Sequence, residues 1–163
     1  PYYMDQIDDI KKTIAEQQLD IVPVEGQELD EEQQTALNDA IAQITDEDIY
    51  NYILEMNPDV KGIFATNGDT TMQALTACEG KDMKDVVIMG YDADQEEIDA
   101  MKDGRIAGMI IQNPYGMGYA TVVAEARCVL NMGNEANVNT GYTWVTPDNI
   151  DDESVQNILY AKK

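Results

Sequence analysis

The chain has 163 residues, 44% of them hydrophobic, enough to bury the core of one ordinary domain. Its 32 acidic residues against 10 basic ones leave a net charge of −22, which repels nucleic-acid phosphates and anionic membranes, so nucleic acid is excluded as a partner and the acidity reads as a heavily solvated surface. Histidine is absent, which removes the commonest general base and metal ligand, and Cys78 and Cys128 stand too far apart for a zinc ribbon or disulfide framework and read as two buried thiols.

In chain order, Ile7, Ile10 and Ile14 recur at helical spacing and predict a helix over 5–17. Because the acidic, apolar run 4–14 already reads as a helix interior, further chain is expected upstream. Residues 19–24 alternate as a strand would, ending at Gly26. From 30 to 56, Leu37, Ile41 and Ile44 and then Ile49, Ile53 and Met56 describe two helices, or one bent helix, with Thr45-Asp46-Glu47-Asp48 as a break and fresh N-cap. Asn57-Pro58 stops them, since the residue before proline is steered out of the helical region. Residues 62–66 read as a buried strand, Asn67-Gly68-Asp69 as a turn, and 70–79 as a short helix closed by Gly80.

A second apolar run, 86–91, has strand length. Asp94 and Glu97 have the spacing of a capping box opening a helix that Gly104 follows, and 106–111 is another strand. Pro114 opens a longer helix to 132, stopped by Gly133, and 142–146 is a last short strand. Strands alternating with helices of ten to fifteen residues predict a three-layer α/β fold, a mostly parallel sheet with helices on both faces. In such sheets ligands lie beyond the carboxyl ends of the strands, where Asn67, Asp92 and Gln112 fall.

The segments NPDVKGIFATN (57–67), VVIMGYDA (86–93) and DGRIAGMIIQNPYGMGYA (103–120), in that order, resemble the C-terminal lobe of the ribose-type periplasmic sugar-binding proteins, the substrate-binding proteins of ABC importers. The resemblance spans 57–146 and, more weakly, the helix and strand before it. It implies a type I periplasmic-binding-protein fold, with residues 1–163 as the C-terminal part of a two-lobed protein and 114–142 crossing to a missing N-terminal lobe. It further implies that Asn67, Asp92 and Gln112 hydrogen-bond the hydroxyls of a monosaccharide or similar small polar ligand, and that Tyr91 packs on an apolar face of its ring.

The chemistry agrees, because a hydroxyl both donates and accepts and is served by a carboxylate and two primary amides. The plain alternatives are turn or cap roles for Asn67, Asp92 and Gln112 and core packing for Tyr91; the lone tryptophan, Trp144, reads as core. One departure stands out: aspartate commonly follows the asparagine, whereas here Gly68 follows and the acid comes next, as Asp69, expected to cap the next helix by itself.

The implied partners are the small-molecule ligand, the membrane permease of an ABC importer and the missing lobe. Without that lobe the helix from Pro114 would lose the cover of its apolar face, to be docked elsewhere or covered by a second copy in a homodimer. The implied location is extracytoplasmic, in the periplasm or as a cell-surface lipoprotein. The alternative within the same fold is a ligand-sensing effector domain of a transcriptional repressor or membrane receptor. Enzymatic turnover is not expected: there is no histidine, nucleophile elbow or phosphate loop. No cofactor or metal is expected either, because the acids at 92–96 lack the glycine and closing glutamate of a calcium loop.

Overall fold

A computed structural model describes residues 2–22, 24, 28–135 and 137–159. They fall into two units, Pro1–Val60 with Ala77–Met83, and Lys61–Thr76 with Lys84–Lys163.

In the first unit α1 (Tyr2–Gln18) turns Ile10 and Ile14 inward. It ends in a Schellman motif: Asp20 takes φ 54°, its amide donates to the Gln17 carbonyl at 3.3 Å, and the Ile21 amide donates to the Glu16 carbonyl at 2.9 Å. The strand expected over 19–24 therefore does not form among its described residues, where Leu19 and Asp20 are the helix stop and Ile21, Val22 and Val24 lie in no strand; Pro23 and Gly26 lie outside the described residues.

The expected pair of helices follows as α2 (Glu31–Gln43) and α3 (Asp46–Met56), each opened by a capping box, Asp30 with Gln33 and Thr45 with Asp48. The bonds from Thr45 hold the Asp48 carboxyl below its ordinary range. Ile14, Ile44 and Ile49 form the buried cluster of this unit, with Ile10 and Tyr52 packed against it.

The second unit is built on a four-stranded sheet of β1 (Gly62–Phe64), β2 (Val87–Tyr91), β3 (Gly108–Gln112) and β4 (Tyr142–Val145), in that spatial order. The pairs β1–β2 and β2–β3 are parallel and β3–β4 is antiparallel, so the expected mostly parallel α/β class is what forms. The helices α4 (Gly68–Gly80), α5 (Gln95–Lys102), α6 (Pro114–Val129) and the single turn α7 (Glu153–Gln156) connect and follow the strands. The core runs through the middle of the sheet: Ile88, Ile106, Met109, Ile111 and Val145 are buried, with Met101 of α5. As an edge strand, β1 leaves Phe64 49% exposed instead of buried as expected.

Two helix ends also depart from expectation. Gly80 lies inside α4, whose Schellman stop is Asp82 at φ 56°, and α6 stops at Asn131, φ 52°, instead of Gly133. Gly104, at φ 76°, closes α5 as expected. Cys78 is buried, and burial, with the Glu79 charge, pushes its thiol up; Cys128 is exposed, contrary to expectation.

Trp144 is 42% exposed and not a core residue. Its indole lies across Gly108, so closely that a Cβ there would collide with Cζ2 and Cη2. Gly108→Ala is expected to lower stability by about 1–3 kcal/mol through overpacking, read as a lower midpoint in chemical unfolding, and Gly108→Ala/Trp144→Leu to recover part of that loss.

No residue of α6 is buried. Tyr119, Val122 and Val129 are 66%, 65% and 81% exposed, which is the uncovered apolar face expected for this helix. No helix among the described residues is long and apolar enough to cross a membrane.

Candidate functional site

The carboxyl ends of β1, β2 and β3 carry Asn67, Asp92 and Gln112 just beyond or at the last strand residue. Asn67 is exposed and is the N-cap of α4: its Oδ1 accepts from the Thr70 amide at 2.9 Å, and its carbonyl accepts from the Thr71 amide at 3.0 Å. The expected turn at 67–69 is thus the start of the helix, and Asp69 lies in its first turn instead of capping it.

Thr71, fully buried, ties the strand ends together. Its hydroxyl donates to the Asn67 carbonyl at 2.7 Å and accepts from the Tyr91 amide at 3.3 Å. The methyl and hydroxyl of Thr71 occupy the place of a side chain at Gly90, so β2 requires glycine there for the helix to sit this close. Sequence reasoning passed over Thr71; a glycine inside an apolar strand, marking a close approach, was the available signal.

Asp92 follows β2 with φ 77°, in the left-handed region that asparagine, aspartate and glycine tolerate best. Its amide donates to the Ile110 carbonyl at 3.0 Å, which anchors this conformation to β3. Its carboxylate is half-buried, and Oδ1 accepts from Gln112 Nε2 at 3.1 Å. The structure therefore joins Asp92 directly to Gln112 and joins Asn67 to β2 through Thr71. Tyr91 is half-buried, on the sheet face opposite Ile88 and Gly90 by strand alternation.

Next to Gln112, Asn113 is the N-cap of α6: its Oδ1 accepts from the Gly116 amide at 2.8 Å and its Nδ2 donates to the Thr140 carbonyl at 2.9 Å. One side chain thus fixes both ends of the segment that leaves and re-enters the sheet.

Behind Asp92 lies Glu97, 1% exposed. The expected capping partnership holds, with Oε2 accepting from the Asp94 amide at 3.0 Å, but Oε1 has no hydrogen-bond partner among the described residues. Burial raises this carboxyl to about 7; bonding to the Asp94 amide and to the Thr71 side chain opposes the rise, and the charges of Asp92 and Asp94 add to it. A Cβ on Gly68 would stand 3.2 Å from Oε2. Glycine at 68 leaves the Glu97 carboxyl without this tight contact.

An open, mostly parallel sheet with polar side chains gathered at its carboxyl end is the architecture in which α/β proteins hold ligands. Residues 1–128 match the family described as periplasmic binding protein domain, and the chain belongs to that family. The ribose import binding protein of Salmonella typhimurium is 35% identical over 66 residues, which are 40% of this chain and 22% of that protein. A carbohydrate transporter solute-binding protein from Agrobacterium radiobacter, solved in complex with D-arabinose, is similar with a TM-score of 0.63 and 25% identity, covering 79% of this chain and 50% of that one. An ABC transporter, LacI family transcriptional regulator from Brachyspira murdochii is similar with a TM-score of 0.60 and 25% identity over 71% of this chain and 40% of its own. The chain thus spans half or less of the length of these relatives.

Proposed function

We propose that the chain is the C-terminal part of the extracytoplasmic binding component of a sugar ABC importer, holding a monosaccharide or similar small polar ligand between two lobes without turning it over. The observation that carries this reading is the Asp92–Gln112 pair beside Asn67 at the carboxyl ends of three adjacent strands, in a chain of this family. Asp92 accepts from ligand hydroxyls, the amides of Asn67 and Gln112 donate and accept, and Tyr91 offers a ring face. The likeness to the ribose import protein and to the arabinose-bound structure favours a sugar over other polar solutes. Calorimetry of the full-length protein against pentoses, hexoses and nucleosides tests the reading; no binding across the panel would refute it.

The partners in this reading are the importer's permease and an N-terminal lobe to which residues 114–142 cross and which covers the apolar face of α6. In the isolated 163-residue chain a second copy covers that face instead. The chain is then expected to self-associate in light scattering and, when diluted to the monomer, to bind a hydrophobic dye. Val122→Asp with Val129→Asp, both on the exposed face, should reduce both signals severalfold; a compact wild-type monomer that binds no dye would count against it.

A second reading, a ligand-sensing effector domain of a repressor or receptor, is favoured by the likeness to the LacI family regulator. The sequence upstream separates the two: a secretion or lipid-attachment signal supports transport, a basic helix-turn-helix supports repression.

A further inference from the structure

The end of the sheet that carries Asn67 and Asp92 holds a carboxyl that the proposed ligand contacts do not use. Glu97 projects from the first turn of α5 and is 1% exposed. One oxygen accepts from the Asp94 amide at 3.0 Å, inside the turn that presents Asp92. The other has no hydrogen-bond partner among the described residues. Both lie against Gly68, the residue after the Asn67 cap, with a Cβ built there 3.2 Å from Oε2 and 3.5 Å from Oε1. A single carboxyl therefore touches the two backbone segments that aim Asn67 and Asp92.

The charged groups facing it are Asp92 and Asp94 of that turn; α4 presents Gly68 and Thr71, which do not titrate, and bonding to the Thr71 side chain only partly offsets the burial of the carboxyl. In the neutral acid, one oxygen keeps the Asp94 bond and the buried site holds no charge. In the carboxylate, a buried charge faces two more negative charges with one oxygen unpartnered, and the cheapest relief is for the turn to move away and admit water.

We propose that Glu97 is a positioning residue whose proton sets the geometry of this end of the sheet: the neutral acid holds the start of α4 and the Asp92–Asp94 turn together, and the carboxylate loosens them. The consequence for affinity rests on reading Asn67 and Asp92 as ligand groups; the geometric consequence does not.

Carbon-13 and nitrogen-15 NMR of the 163-residue chain between about pH 5 and 8.5 tests it. The Glu97 side-chain carboxyl is expected to titrate well above an ordinary glutamate. The amides of Gly68, Asp92 and Asp94 should follow its midpoint and stay flat in Glu97→Gln. An ordinary Glu97 midpoint in the wild type, which needs no variant to fold, overturns the proposal; so do amides that move equally in Glu97→Gln.

D-ribose binding to the full-length protein is expected to be about fivefold weaker at the upper pH than at the lower one, and independent of pH in Glu97→Gln. A coupled NMR titration with no ribose binding at any pH sustains the proposal and counts instead against ribose as the ligand.

Discussion

Replacing Asp92 with alanine in the full-length protein is expected to weaken monosaccharide binding by roughly a hundredfold, about 2–3 kcal/mol, the loss of a charge-assisted hydrogen bond in a closed site. The carboxylate is pre-aimed in two ways. The backbone of Asp92 is held at φ 77° by the bond from its amide to the Ile110 carbonyl, and the side chain is steadied by Gln112 at 3.1 Å. Gln112→Ala removes a ligand contact and this support together, and about a tenfold loss is expected.

Asn67→Ala needs a control, because the same Oδ1 that would face a ligand caps α4 at the Thr70 amide; its removal costs about 1 kcal/mol of stability on its own account. Asn67→Ser, which keeps a capping oxygen and loses the amide, separates the two effects. Affinities within twofold of the wild type for Asp92→Ala and Gln112→Ala, in proteins with unchanged unfolding midpoints, would remove these residues from the site.

Much of this architecture is legible in the sequence because its signals are local. The capping boxes at Thr45 and Asp94 need only an acceptor and an acid three residues on. The apolar runs of β2 and β3 declare themselves because both strands lie inside the sheet, where Ile88, Met109 and Ile111 are buried. Helix ends were harder to read. Glycine is the favoured left-handed residue, so Gly80 and Gly133 drew the prediction, while Asp20, Asp82 and Asn131 take that conformation. Residues 19–22 show how alternation misleads: a strand needs a partner, and here the same residues finish α1.

The strand-end residues could be located because a parallel sheet gathers its carboxyl ends whatever the details of packing. The residues that organise them were not visible, since their role depends on contacts distant in sequence. Thr71 matters because Gly90, on β2, leaves room for it. Glu97 reads as one half of a surface capping box, whereas in the fold it is buried with its carboxyl against Gly68 at the start of α4. Gly68 is a departure from the family pattern in the sequence alone, and in the fold its Cα faces the Glu97 carboxyl, where a side chain would make a tight contact.

That buried carboxyl sets the second large effect, on stability. The pKa of Glu97 is raised from 4.5 to about 7 by folding, so the folded state binds this proton more tightly than the unfolded chain. Its contribution is therefore fully present below about pH 4.5, is lost as the pH rises toward 7, and stays lost above. The span of about 2.5 units corresponds to about 3 kcal/mol.

Glu97→Gln keeps the shape and removes the titration. Relative to the wild type it is expected to gain about 3 kcal/mol between pH 4.5 and 8, measured as the difference in unfolding free energy from denaturant melts at each pH. Self-repulsion among the other acids grows over the same range in both proteins and cancels in that difference. A difference that stays constant across the range would mean that Glu97 is ionised in the folded chain at low pH, with its second oxygen partnered by water.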